Sequence, residues 1–108
     1  MLQTQSHKNA ILSMIGAAVH NADPTAETIL FGSQARGDAR PDSDWDIVII
    51  VDTQKVSKNQ FKKLSYDLWV MGLDKGIEIN PLIYTRQQWD SARPTLFKYN
   101  VMKEGVRI

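Results

Sequence analysis

The stretch FGSQARGDARPDSDWDIVIIV, residues 31–51, decides the fold, and its second half is the clearest single element in the chain. After Asp46 every residue of this half is β-branched and apolar, which is typical of a buried strand, predicted here over residues 46–51. Asp44 and Asp46 lie at the head of this strand. Because side chains alternate across a strand, the two carboxylates are expected on the same face, roughly 6–7 Å apart.

A second short strand, residues 28–31, precedes this pair of carboxylates and ends at Gly32. A glycine there lets the backbone approach a ligand closely, and Ser33 is predicted to cap a short helix that begins near Gln34. The N–H groups at a helix N-terminus bind phosphate, and paired carboxylates bind Mg²⁺ together with water and substrate phosphates. The stretch therefore predicts a phosphate-binding turn beside a divalent-metal site. The alternative is a plain Gly/Ser turn followed by solvated acidic residues.

The composition indicates an ordinary globular domain. With 108 residues, 43% hydrophobic and 23% charged, the chain is predicted to form one domain, residues 1–108. A net charge of +1 gives no basic field that would favour nucleic-acid binding. The absence of cysteine excludes disulfides, thiol catalysis and thiolate metal sites. The N-terminal apolar run is short and interrupted, which favours an amphipathic helix over a signal peptide or membrane span, with the cytoplasm as the expected location.

Helical periodicity occurs in three further segments, residues 6–21, 56–72 and 94–105. In the second, Ser57 is the expected N-cap and Gly72 the expected stop. Its buried stripe is predicted to be Phe61, Leu64, Leu68 and Met71. A third strand is predicted over residues 76–84, where Pro81 favours an edge position because it has no N–H to donate. A short helix follows that strand, and the tryptophans are all expected to be packing residues: Trp45, Trp69 and Trp89.

This order of elements, α-β-α-β-α-β-α, combines with a Gly-Ser pair and an Asp-x-Asp pair separated by ten residues. Together they resemble the minimal nucleotidyltransferases of the DNA polymerase β-like superfamily over nearly the whole chain, and residues 103–106, KEGV, match the end of that family's pattern. The resemblance implies an α+β, two-layer fold with a small mixed β-sheet and helices packed on one face.

The resemblance also implies roles for particular residues. Gly32 and Ser33 would bind the β- and γ-phosphates of a nucleoside triphosphate, with Arg36 and Gly37 in the same loop. For Arg36 an ion pair with a nearby aspartate of the loop, Asp38 or Asp42, is the alternative. Asp44 and Asp46 would ligate two Mg²⁺ ions.

A third carboxylate on the next strand completes the family's site, and this position departs from the pattern here. Where many relatives carry aspartate, this chain carries Asn80, while Glu78 lies on the same face one pleat earlier. Glu78 is either the third catalytic and metal-binding carboxylate or an ordinary exposed residue. Asn80, as the alternative ligand, offers a carbonyl oxygen but no negative charge and no basic group.

The function implied is Mg²⁺-dependent transfer of a nucleoside monophosphate, AMP from ATP, to a hydroxyl acceptor. Members of the family act as antitoxins that adenylylate a HEPN-domain partner, which is the partner expected here. The second hypothesis is a catalytically impaired, nucleotide-binding antitoxin that neutralises its partner by complex formation. A tRNA- or aminoglycoside-modifying enzyme is less favoured because such relatives carry additional substrate-binding domains. The sequence leaves the acceptor, the base preference and the oligomeric state open, and an oligomer is compatible with it.

Overall fold

The computed structural model describes residues 5–40, 42–91 and 95–108, and the predicted start of the last helix at Pro94 lies outside them. Along these ranges the helices are α1 (Gln5–Ala22), α2 (Ser33–Arg36), α3 (Lys58–Lys75), α4 (Arg86–Ser91) and α5 (Leu96–Glu104). The strands are β1 (Glu27–Phe31), β2 (Trp45–Val51), β3 (Ile79–Thr85) and β4 (Val106–Arg107). None of the described helices is both long enough and apolar enough to cross a membrane.

The four strands form one mixed sheet in the order β3-β2-β1-β4. β2 is parallel to β3 and antiparallel to β1, while β4 pairs antiparallel with the outer side of β1. The end of β1 therefore meets the beginnings of β2 and β3 at one end of the sheet. β3 is an edge strand, as Pro81 predicts, because a missing N–H costs no ladder bond on the side that faces solvent.

Helices cover the sheet on both faces. Alternate residues of β2, from Trp45 to Val51, join the core beneath α1 and α3, and the indole of Trp45 is fully buried there as predicted. Val48 and Ile50 point the other way and pack with Trp89 of α4 and Val101 of α5. The prediction of helices on one face thus holds for α1 and α3, and α4 and α5 are a second layer on the opposite face.

Three predictions about α3 are wrong: one concerns its C-terminal end and two concern residues on its outer surface. Ser57 caps the N-terminus by accepting a hydrogen bond from the Gln60 N–H at 3.1 Å, as expected. Gly72, however, lies inside α3, and the helix ends at Gly76, which adopts a left-handed conformation with φ of 69°. Phe61 and Trp69, both predicted to be packing residues, are 52% and 59% exposed.

Gly72 is needed for packing rather than for ending the helix. A Cβ atom at this position would lie 2.7 Å from the backbone oxygen of Ile77, in the segment that leads from α3 into β3. The absent side chain lets the chain turn back closely over its own helix. Two glycines four residues apart therefore have different functions, and Gly76 supplies the backbone conformation that ends the helix.

Candidate active site

The register of the sheet brings the predicted site residues together at one end. Asp46 lies opposite Phe31 of β1 and beside Asn80 of β3. Asp44 precedes β2 by one residue, and Gly32 follows β1 directly. Because the Asp46 side chain alternates with buried Trp45 and Ile47, it points to the face of the sheet that α4 and α5 cover.

Gly32 forms the turn between β1 and α2 and lies directly against Asp46. Its φ of 77° and ψ of −157° fall in a region of backbone space that is essentially restricted to glycine. A Cβ atom built on Gly32 would lie 2.6 Å from the Asp46 Oδ2 atom. The loop that was predicted to hold phosphate is therefore in contact with the carboxylate that was predicted to hold metal. Ser33 is the first residue of α2, so Gly32 rather than Ser33 is the N-cap.

The amide of Asn80 orients the carboxylate of Asp44. Asn80 Nδ2 donates a hydrogen bond to Asp44 Oδ2 at 3.0 Å. At this position on β3 the site therefore has a neutral donor, where a third carboxylate would add negative charge. The donor fixes the Asp44 side chain without competing for a cation.

The charged form of the Asp46 carboxylate is destabilised by its surroundings. Burial raises the pKa of Asp46 above its ordinary value, and the negative charge of Asp44 raises it further. A hydrogen bond from Asn80 and the positive charge of Arg36 act in the opposite direction without cancelling the effect. Over the described ranges no lysine or arginine forms an ion pair with Asp44 or Asp46. The pair therefore carries negative charge that a bound cation would stabilise.

Glu78 is exposed and precedes β3, and its backbone oxygen accepts a hydrogen bond from the Trp45 N–H at 2.8 Å. The charge of Asp44 raises the pKa of the Glu78 carboxyl, and a hydrogen bond between the two carboxyl groups adds to this effect. The side chain is thus next to Asp44. Its role as a third catalytic ligand stays a prediction, because no three acidic, histidine or cysteine side chains among the described residues are arranged to hold one metal ion.

Arg36 is paired, and one of its partners was not predicted. Its Nε atom lies 3.3 Å from Asp38 Oδ2, and its Nη1 atom lies 3.2 Å from Glu104 Oε2 on α5. Glu104 lies in the KEGV segment, and that match is the only sequence signal for it, because 68 positions separate the two residues. Gly37 ends α2 in a left-handed conformation with φ of 85°. The loop from Gly32 to Gly37 is thereby tied to α5.

The donor set fits a divalent cation. Asp44 and Asp46 lie one residue apart at the head of β2, an amide orients Asp44, and Gly32 lies against Asp46, so the two carboxylates offer oxygen ligands at one place. Mg²⁺ is commonly bound by one or two protein carboxylates together with waters and substrate phosphates. The residues that would hold it are Asp44 and Asp46, with Glu78 within reach of Asp44.

Removing the charge of Asp46 is expected to stabilise the chain at neutral pH without divalent cations. The raised pKa means that the folded chain binds this proton more tightly than the unfolded chain, so stability falls as pH rises from the ordinary carboxyl range through the raised pKa. Asp46→Asn should match the wild type below about pH 4. At pH 7 we expect a gain of up to about 1 kcal/mol after allowing for solvent screening.

Urea unfolding of the wild type and of Asp46→Asn at a series of pH values, with a chelator present, measures this difference. A variant that is no more stable than the wild type at pH 7 would contradict the electrostatic description of the site.

The mixed sheet, the glycine turn and the aspartate pair define a fold of the polymerase β-like nucleotidyltransferase type. The chain belongs to the nucleotidyltransferase domain family, whose model matches residues 13–108. No curated protein sequence matches the chain.

Two solved structures are similar to this chain. A crystal structure of a toxin–antitoxin with AMP-PNP matches with a TM-score of 0.58 and 16% identity, covering 93% of this chain and 70% of the other. A protein of Sulfolobus solfataricus, assigned provisionally as a nucleotidyltransferase, matches at 21% identity over 99% of this chain and 89% of its own, with a TM-score of 0.47. At 16% identity the likeness to the toxin–antitoxin structure is one of fold.

Proposed function

We propose that this chain transfers a nucleoside monophosphate, AMP from ATP, to a hydroxyl group of a partner protein, with Mg²⁺ bound at Asp44 and Asp46. The observation that carries the proposal is the contact between the glycine turn and one of the two carboxylates, where the position of the missing Gly32 Cβ lies 2.6 Å from Asp46 Oδ2. A triphosphate bound along the turn would have its phosphates beside both carboxylates. The family to which the chain belongs supports the reaction class.

The reaction is an in-line displacement at the α-phosphorus. The acceptor oxygen forms a bond to phosphorus, the bond to the bridging oxygen of the β-phosphate breaks, pyrophosphate leaves, and the hydroxyl proton passes to solvent. Asp44 and Asp46 would hold Mg²⁺, which would supply the positive charge that lowers the pKa of the acceptor hydroxyl and neutralises the leaving group. This chain's residues position the participants: Gly32 gives the phosphates access, and Asn80 holds the Asp44 carboxylate in one orientation.

A HEPN-domain toxin is the proposed acceptor. This part of the proposal rests on the resemblance of the motif to minimal nucleotidyltransferases, and the similar fold in a toxin–antitoxin crystal structure with AMP-PNP supports it.

Transfer is tested with α-labelled ATP, Mg²⁺ and the protein encoded beside this chain. We expect label on the partner with the wild type and none when a chelator removes the divalent cation. Asp44→Asn should reduce labelling to background, since it removes a metal-binding charge but keeps the size of the side chain. Absence of label with the wild type, or undiminished label with Asp44→Asn, would refute the proposal.

The alternative function is an antitoxin that binds nucleotide without transferring it and neutralises its partner by complex formation. The neutral amide of Asn80 beside Asp44 favours this alternative, because it gives the site one negative charge fewer than a third aspartate would. The two functions differ in one measurable respect. If binding alone neutralises the partner, Asp46→Ala retains neutralisation in a growth assay, whereas a transferase loses it.

A further inference from the structure

The outer side of α3 carries a regular stripe of exposed residues that the active site does not use. At alternating intervals of three and four positions, the stripe consists of Asn59, Lys62, Tyr66, Trp69 and Leu73. Tyr66, Trp69 and Leu73 are 63%, 59% and 63% exposed, and the rings of Tyr66 and Trp69 lie 6.4 Å apart. The 3–4 interval is the spacing by which one helix packs lengthwise against another.

α3 is therefore apolar on two opposite sides. Leu64, Leu68 and Gly72 are buried on the inner side against the sheet layer, which already gives the helix its place in the fold. Contiguous exposed aromatic and aliphatic side chains add nothing to that packing, and such patches mark interaction sites on soluble domains. The outer stripe thus has the form of an interface with another helix.

The charged residues beside the stripe indicate which helix would pack against it. Lys63 and Asp74 are eleven positions apart, close to three helical turns, so both lie on the same side of the stripe and about 16 Å apart along the axis. A two-fold axis through the middle of this interval, at residues 68–69, also passes through the apolar part of the stripe, residues 66–73. Around that axis an antiparallel second copy of α3 brings Lys63 of each chain beside Asp74 of the other. One symmetry operation covers the apolar groups and brings opposite charges together, although Asp74 Oδ2 also lies 3.8 Å from Lys75 Nζ of its own chain.

We infer that the α3 stripe is a self-association surface through which two copies of this chain pack as an antiparallel, two-fold symmetric dimer. α3 covers the face of the sheet opposite to the one on which Asp46, Val48 and Ile50 lie. Both candidate active sites stay open in this dimer and face away from the two-fold axis. The inference stands independently of the proposed transferase activity.

Sedimentation equilibrium of the whole chain tests the dimer. We expect the wild type to be dimeric at tens of micromolar, and Trp69→Glu and Leu73→Glu to be monomeric because each places a charge in the apolar stripe. Both positions are exposed, so circular dichroism and thermal melts of these variants should show an intact fold. A monomeric wild type at 100 μM overturns the inference, as does a dimer that Trp69→Glu leaves unchanged.

The antiparallel register is tested by charge reversal. Lys63→Glu should weaken the dimer about tenfold, since like charges then meet twice around the axis, and Asp74→Lys should do the same. The double variant Lys63→Glu/Asp74→Lys restores opposite charges and should return the dissociation constant to within about twofold of the wild type. Lys103→Glu on α5 is the matched control and should have no effect. Additive weakening in the double variant would refute this register.

A cross-linking experiment tests directly whether residue 63 of one copy lies beside residue 74 of the other. The chain has no cysteine, so thiols can be placed without background. With a bis-maleimide of about 8–10 Å, matching the usual distance between packed helices, Lys63→Cys/Asp74→Cys should give a covalent dimer in high yield. Either single variant should give little dimer, because its own copy lies about 16 Å away along the helix axis. Equal yields from the single and double variants would exclude the proposed pairing.

Discussion

Asp46→Asn is expected to reduce nucleotidyl transfer by about a thousandfold while leaving the chain folded. The variant keeps the shape of the side chain and its place beside Gly32, but it removes half of the negative charge that the aspartate pair offers to a cation. Stabilisation of a phosphoryl transition state by a correctly bound metal contributes several kcal/mol, and each 1.36 kcal/mol corresponds to a factor of ten in rate. Loss of this contribution predicts the size of the effect.

Single-turnover transfer at saturating Mg²⁺ and ATP is the appropriate measurement, because it separates the chemical step from binding. Asp52→Asn is the matched control. It makes the same chemical change just beyond the opposite end of β2, where Asp52 Oδ1 lies 3.6 Å from Arg86 Nε, and it should transfer at the wild-type rate. Asp46→Asn should at the same time be more stable than the wild type in the absence of divalent cations. An active Asp46→Asn variant would exclude the aspartate pair as the metal site.

The residue pattern of β2 explains why this part of the fold could be predicted from the sequence. Residues 47–51 are all β-branched and apolar, which predicts a buried strand, so β2 and the carboxylates at its head follow from local pattern alone. The same pattern could have predicted the second helical layer. Val48 and Ile50 are fully buried, and side chains on that face require a cover, which Trp89 and Val101 provide.

Features that depend on distant parts of the chain were not predictable in this way. Gly72 and Gly76 look alike in the sequence, and only the return of residue 77 over the helix shows that the first is needed for close packing and the second for a left-handed turn. The pairing of Arg36 with Glu104 joins residues 68 positions apart. The exposure of Phe61 and Trp69 also escaped prediction, because helical periodicity does not distinguish a side that packs on the sheet from a side that is free for another chain.

Among the predicted site residues, the sequence placed Asp44, Asp46 and Gly32 at one end of the sheet for a reason that the structure explains. In the antiparallel pair β1–β2, Phe31 lies opposite Asp46, so the turn after β1 must reach the carboxylate at the head of β2. The orientation of Asn80 was not predictable. Its amide can present either oxygen or nitrogen, and the choice is fixed by the hydrogen bond that Asn80 donates to Asp44, which precedes the neighbouring strand β2.

Gly32→Ala is expected to reduce transfer by about a hundredfold and to lower stability by about 2 kcal/mol. Two separate costs arise at this position. The backbone conformation, φ of 77° and ψ of −157°, strains any residue that has a Cβ, by about 1–3 kcal/mol. The new methyl group would also lie 2.6 Å from Asp46 Oδ2. Because that atom is the end of a side chain, the carboxylate can rotate away. The contact therefore mainly displaces the Asp46 carboxylate, and small displacements of a catalytic group lower the rate of transfer strongly.

Gly76→Ala separates these two costs. Gly76 also has a positive φ, 69°, and it ends α3, but nothing lies within 4 Å of its Cβ position. This variant should lose about 1 kcal/mol and transfer at the wild-type rate once the folded fraction is taken into account. Urea unfolding and single-turnover transfer on both variants give the comparison. Equal rates for Gly32→Ala and Gly76→Ala would mean that the turn does not position Asp46 for catalysis. A slow Gly32→Ala beside a fast Gly76→Ala would assign the loss of rate to the turn at Gly32, because a positive φ is common to both positions.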